Sequence, residues 1–145
     1  LAVGGGQEPH GLEELSGYTL MRNVSQEVIP RVYSISSFTI IPSRTEGFSY
    51  VAVESLACET PVITCSERIP SIKPIYSDEV FSPLCVSSPD SISEFEESIN
   101  WVVNNPGQSE LLGKRAQREV ADRYSFDRWQ QRLDQLIVGK QEHQI

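Results

Sequence analysis

The chain has 145 residues, 39% of them hydrophobic and 22% charged, and a formal net charge of −8. That length suits one domain with a real core, and the mixture is that of a globular protein rather than a disordered or fibrous one. The acidic balance excludes a general nucleic-acid surface, and no apolar run approaches the length of a membrane span.

Leu1-Ala2-Val3 before Gly4-Gly5-Gly6 reads as a short buried strand ending in a permissive turn. Glu8 to Leu15 reads as a short helix and Tyr18-Thr19-Leu20 as a second strand. Ser25 is expected to cap a helix through Ile35 that has Pro30 in its first turn and Ile29, Val32, Tyr33 and Ile35 facing inward. Phe38 to Ile41 is the next strand. The helix from Tyr50 to Cys58 is expected to bury Val51, Val53, Leu56 and Ala57, and Pro61 to Thr64 is again a strand. Ser66 to Ser82, broken by Pro70 and Pro74, reads as a short helix or turn and then loop. Leu84-Cys85-Val86 is a last short strand. Ile92, Phe95, Ile99 and Val102/Val103 recur at helical spacing up to Asn104-Asn105-Pro106. A further helix carries Leu111, Leu112, Ala116 and Val120, and a final one, capped by Ser125, carries Phe126, Trp129, Leu133 and Leu136.

Alternating strands and helices define an α/β domain with a parallel sheet, whose strands are the short continuous apolar runs that such sheets require. One domain is assigned to residues 1–138 and a polar tail to 139–145. The opening inside a strand, with Met21 as the only methionine, leads us to expect a piece of a longer protein that lacks its first strand or strands. Cys58, Cys65 and Cys85 have no metal-ligand spacing, and an odd count does not make a disulfide framework. They read as buried thiols in a reducing compartment. His10 and His143 have no ligand partner at useful spacing, and no signal peptide is visible.

Chemistry concentrates in the stretch from Pro42 to Glu54. A strand runs into a small-residue turn and a helix runs out of it, with Glu46 and Glu54 eight positions apart. The first N–H groups of a helix lack intrahelical acceptors, and the helix dipole favours an anion beside them. A carboxylate repels phosphate but accepts hydrogen bonds from hydroxyls on ribose or a sugar ring. The pattern therefore points to a ligand with both phosphate and several hydroxyls. In open parallel sheets such ligands sit beyond the C-terminal strand ends, where Gly4-Gly5-Gly6 and Pro42 to Ser49 both fall.

The full string from Pro42 to Ile63 resembles the donor-binding segment of retaining glycosyltransferases of the GT-B fold, above all family 4 (glycosyl transferases group 1). Val3 to Gly6, Ile29-Pro30-Arg31-Val32-Tyr33 and Tyr124-Ser125-Phe126-Asp127-Arg128-Trp129 are similar to further segments of that family, in order. The resemblance implies a Rossmann-like parallel sheet flanked by helices, the C-terminal, donor-binding domain of a GT-B enzyme. By the same resemblance, Glu46 is the catalytic-site carboxylate that accepts from hydroxyls of the transferred sugar. The N–H groups of Gly47, Phe48, Ser49 and Tyr50 face that sugar and the distal phosphate, Glu54 binds the ribose hydroxyls, and Gly5 is a weaker donor contact. The implied donor is a nucleotide-diphosphate sugar, with no further cofactor and no metal. The implied acceptor is a glycan or glycolipid held by a separate N-terminal domain, without which this chain is inactive. The implied location is the cytoplasm, with the inner face of a membrane as a variant of it. The alternatives are a non-catalytic nucleotide-sugar module and a sugar-nucleotide epimerase of the same fold.

Departures from the family pattern are local. Ser49 and Glu59 stand where glycine is frequent, and Glu59 falls at a helix C-terminus where a left-handed residue is expected. Ser66-Glu67-Arg68-Ile69-Pro70 and Phe81 to Val86 also depart from it. An Arg and a Lys that neutralise the diphosphate in the family lie upstream of Leu1. Arg44 reads as a surface or ion-pair residue, and Trp101 and Trp129 as packing residues. Base selection is assigned to the Gly17 to Met21 region.

Overall fold

The computed structural model describes residues 2–4, 16–17 and 19–141, and strands alternate with helices through them. The elements are β1 (Ala2–Gly4), β2 (Leu20–Arg22), α1 (Ile29–Ser34), β3 (Thr39–Ile41), α2 (Tyr50–Ala57), β4 (Val62–Thr64), α3 (Ile92–Asn104), α4 (Pro106–Tyr124) and α5 (Phe126–Gln141), with 3-10 turns at Ser66–Arg68 and Glu79–Leu84. Strand pairing among the described residues is parallel, in two two-stranded sheets. β1 lies on β2, with Ala2 opposite Leu20, and β3 lies on β4, with Thr39 opposite Val62 and Ile41 opposite Thr64. The expected strand at Leu84–Val86 is reduced to one parallel bridge, Cys85 to Thr64, with the Val86 N–H on the Thr64 carbonyl at 3.0 Å. The second strand begins at Leu20, later than its expected start. The helix expected over Glu8 to Leu15 lies outside the described residues. No helix of the described residues is long and apolar enough to cross a membrane.

The core is built on β4. Val62, Ile63 and Thr64 are all fully buried, as the unbroken apolar run implies. Beneath them lie Ile69, Ile72, Ile75 and Tyr76, each at most 5% exposed. The segment from Ser66 to Ser82 has the short helix and turns expected of it, and it also buries a row of apolar residues. Its two prolines prevent a long helix, yet successive tight turns, such as Ile72 N–H to the Ile69 carbonyl, point every third residue inward. The Tyr76 hydroxyl donates to the Val62 carbonyl at 2.8 Å and accepts from the Val62 N–H at 3.0 Å. It thereby satisfies backbone groups that the sheet leaves open.

α2 buries Ala52, Ser55 and Leu56, while Val53 is half-buried and Val51 and Ala57 are exposed, contrary to expectation. The inward stripe starts from the buried cap Ser49 and continues at helical spacing, which turns Val51 and Glu54 together to the open side. Ile35, expected to face inward, is also exposed, as are Ile92 and Leu111. Val28, not Ser25, holds the N-cap position of α1, and the Ser25 carbonyl instead closes the preceding turn onto the Val28 N–H. Ser125 meets its expectation at the start of α5, where its Oγ accepts from the Arg128 N–H.

Two backbone features join α2 to α4. Glu59 adopts φ +62° just after α2. The Glu59 N–H donates to the Leu56 carbonyl and the Thr60 N–H to the Ser55 carbonyl, the paired bonds of a Schellman motif. Gly113 of α4 lies directly against this turn. A Cβ at Gly113 would stand 1.9 Å from the Glu59 carbonyl oxygen, so only glycine permits the approach.

Candidate functional site

β3 ends at Ile41 and α2 begins at Tyr50, so residues 42–49 form the turn beyond the C-terminal end of a parallel strand. Ser49 is the N-cap. It is 3% exposed, and its Oγ accepts from the Ala52 N–H at 3.4 Å. The turn is held at both ends by the connection that follows β4. The Glu46 N–H donates to the Arg68 carbonyl at 3.2 Å, and the Ser49 N–H donates to the Ser71 Oγ at 3.3 Å. Of the four N–H groups expected to face a ligand, that of Ser49 is therefore already engaged. Those of Gly47, Phe48 and Tyr50 have no acceptor among the described residues. Three unpaired donors at the mouth of a helix are suited to an anion.

The two carboxylates flank this mouth. Glu46 is half-buried in the turn, and its Oε1 accepts from the Ser43 Oγ at 2.7 Å, which fixes one oxygen and leaves acceptor capacity on the other. Glu54 lies one helical turn into α2 and is exposed. It faces Tyr33 of α1. Burial, then the nearby Glu54 and Cys58, push the Tyr33 hydroxyl up to about 12. Phe48 and Tyr50 are exposed aromatic residues whose rings meet edge to face at 5.1 Å, and Phe48 also meets Tyr124 at 5.4 Å. Gly5 lies outside the described residues.

Arg44 forms an ion pair with Asp90, its Nη2 at 2.8 Å and Nε at 3.0 Å from Oδ1, as its surface reading implies. Trp101 is half-buried against the core, whereas Trp129 is 58% exposed and does not pack as expected. Cys65 is buried, and Cys58 and Cys85 are half-buried. Burial pushes the thiols of Cys58 and Cys85 up, which disfavours their thiolates. No three His, Cys, Asp or Glu side chains converge among the described residues in a way that could hold a metal ion.

A groove of about 740 Å³ lies elsewhere, at the N-terminal ends of β3 and β4, lined by Phe38, Cys58, Pro61, Val102 and Ser109 among others. It contains neither Glu46 nor Glu54. Ligands of open parallel sheets bind at the opposite, C-terminal strand ends, so volume alone does not locate the site. Ser43, Ser71 and Tyr124 are contributors that sequence reading missed. Ser43 carries a local signal, a hydroxyl three residues before a carboxylate in one turn. Ser71 and Tyr124 reach the turn only through the tertiary fold.

Parallel strands flanked by helices, with a strand-to-helix turn beyond the strand ends, are the architecture of a Rossmann-like domain. The chain belongs to a glycosyltransferase family: residues 4–119 match the family described as glycosyl transferases group 1. An uncharacterized glycosyltransferase of Methanocaldococcus jannaschii is 29% identical over 114 residues, covering 79% of this chain and 31% of that protein. A D-inositol 3-phosphate glycosyltransferase of Salinispora tropica is 30% identical over 100 residues, 69% of this chain and 20% of its own length. A protein of the same name from Saccharomonospora viridis is 28% identical over 138 residues, 90% of this chain and 30% of its own. The chain thus spans less than a third of each of these relatives. No solved structure matches it.

Proposed function

We propose that this chain is the donor-binding half of a retaining glycosyltransferase, which holds a nucleotide-diphosphate sugar while the sugar passes to an acceptor hydroxyl. The observation that carries the reading is the turn from Glu46 to Tyr50. Its N–H groups at Gly47, Phe48 and Tyr50, without an acceptor among the described residues, lie between two carboxylates in sequence, beyond the C-terminal end of β3. Cleavage of the anomeric bond places negative charge on the leaving diphosphate, and preorganised donors stabilise charge that develops in the transition state. Glu46, steadied by Ser43, accepts from hydroxyls of the sugar. Glu54, on the open side of α2, accepts from the ribose hydroxyls.

The acceptor site and the cations that complete diphosphate neutralisation belong, on this reading, to the rest of the protein. The acceptor class is a glycan, a glycolipid or another polyhydroxylated molecule, and the Salinispora and Saccharomonospora relatives are named for one such molecule. The cytoplasm, or the inner face of a membrane, is the proposed place of action. Replacing Glu46 by Gln in the full-length protein tests the reading. The transfer rate is expected to fall about a hundredfold, the scale of losing one preorganised transition-state contact. An unchanged rate contradicts the assignment.

A further inference from the structure

We infer that Ser71 and Tyr124 are positioning residues that set where the free N–H groups of the Glu46–Tyr50 turn stand. The inference rests on the donor-site reading above and adds the parts of the fold that hold the site in shape. The middle of the turn has little packing of its own. Phe48 is 42% exposed, and a Cβ placed on Gly47 would meet no atom within 4 Å. The position of the turn is therefore set from outside.

Ser71 is 3% exposed and uses both its hydroxyl and its carbonyl across the fold. Its Oγ accepts from the Ser49 N–H at 3.3 Å, and its carbonyl accepts from the Tyr124 hydroxyl at 2.8 Å. Tyr124, the last residue of α4, reaches the turn a second time through its ring, which meets Phe48 edge on at 5.4 Å, while Phe48 in turn meets Tyr50 at 5.1 Å. Two segments distant in sequence thus converge on one turn. The polar links run through the Ser71 hydroxyl and carbonyl to the N-cap, and the aromatic link runs through Phe48. Packing explains the Tyr124 ring but not its hydroxyl. Donors aimed at a phosphate act only while they are held in place, and small displacements weaken them steeply.

The second phosphate of a nucleotide isolates this effect, because the turn faces that phosphate and Glu54 faces the ribose. The experiment measures affinity for UDP and UMP, GDP and GMP, and ADP and AMP in the full natural protein. It compares wild type, Ser71→Ala, Tyr124→Phe and Glu54→Ala. Tyr124→Phe keeps the ring and its packing, so it reports on the turn even if Ser71→Ala fails to fold. Each of the two positioning variants is expected to reduce the diphosphate-over-monophosphate preference about fivefold, the scale of one hydrogen bond, with monophosphate affinity unchanged. Glu54→Ala is expected to weaken both ligands alike and leave the preference intact. A preference unchanged in both positioning variants, with wild type favouring a diphosphate, overturns the inference and spares the donor site. A wild type with no preference for any diphosphate overturns the donor-site reading, and the inference falls with it.

Discussion

Glu59 shows how one residue can record both a family pattern and its cost. It sits at φ +62°, in the left-handed region, with paired Schellman bonds closing α2 around it. A side chain disfavours that conformation by about 1–2 kcal/mol, and an acid at a helix C-terminus opposes the dipole. Glycine loses more chain entropy on folding, which offsets part of the gain. Glu59→Gly is therefore expected to stabilise the protein by about 1 kcal/mol in urea unfolding, and a loss of stability would contradict this balance. Tyr76 offers the opposite case. Its hydroxyl serves both backbone groups of the buried Val62, so Tyr76→Phe strands them and is expected to cost about 1–3 kcal/mol. Glu59 was legible in the sequence because helix ends have local rules. The strand, turn and helix that carry Glu46 and Glu54 were legible for the same reason, as consecutive steps of one local pattern. Tyr76, Ser71 and Tyr124 were not, since their partners lie 14, 22 and 53 positions away and no local pattern links them.

At the level of elements, α4 lies hard against the turn after α2. Gly113→Ala drives a methyl into the Glu59 carbonyl, and the enforced shift is expected to cost about 1–3 kcal/mol by thermal or urea unfolding. A neutral result would mean that α4 can slide freely. The start of α3 carries the clearest pH dependence. The Ser91 Oγ caps the helix by accepting from the Glu94 N–H, and the Glu94 carboxylate accepts from the Ser87 N–H and Oγ. These Ser87 bonds hold Glu94 below the ordinary carboxylate value. The folded chain thus binds its proton less readily than the unfolded one. The contribution is fully present above about pH 4.5 and is lost as pH falls through the lower, folded value. Replacing Glu94 by Gln should flatten the decline of Tm with acid while lowering Tm near neutrality, and an unaltered acid profile would count against this. Helices α3 to α5 and the strands β3 and β4 were readable from apolar runs and spacing. The burial of the segment from Ser66 to Ser82 was not, because its prolines signal a break while its inward residues repeat at tight-turn spacing. The inward face of α2 was displaced by one residue because Ser49 and Ser55, both polar, belong to the buried stripe.

Across the whole molecule, stability is uneven. β4, α2 and the Ile69 to Tyr76 connection form the buried centre, whereas α5 exposes Phe126, Trp129 and Leu133 and packs on α4. Native-state hydrogen exchange is expected to protect β4 and α2 amides most and to release α5 first. Protection of α5 equal to that of β4 would contradict this ordering. The net charge of −8 adds a constraint on function. An anionic ligand has no general attraction to this surface, so its binding has to come from local donors and hydroxyl contacts. The measurement that bears most directly on the central claim is ligand-observed NMR of the protein with UDP, GDP, ADP and their sugar conjugates, repeated with Glu54→Ala. Selective binding of one nucleotide, weakened about tenfold or more by the substitution, is the expected result, since it strands two ribose hydroxyls without their acceptor. Binding of one nucleotide with undiminished affinity in the Glu54→Ala protein would contradict the site described here.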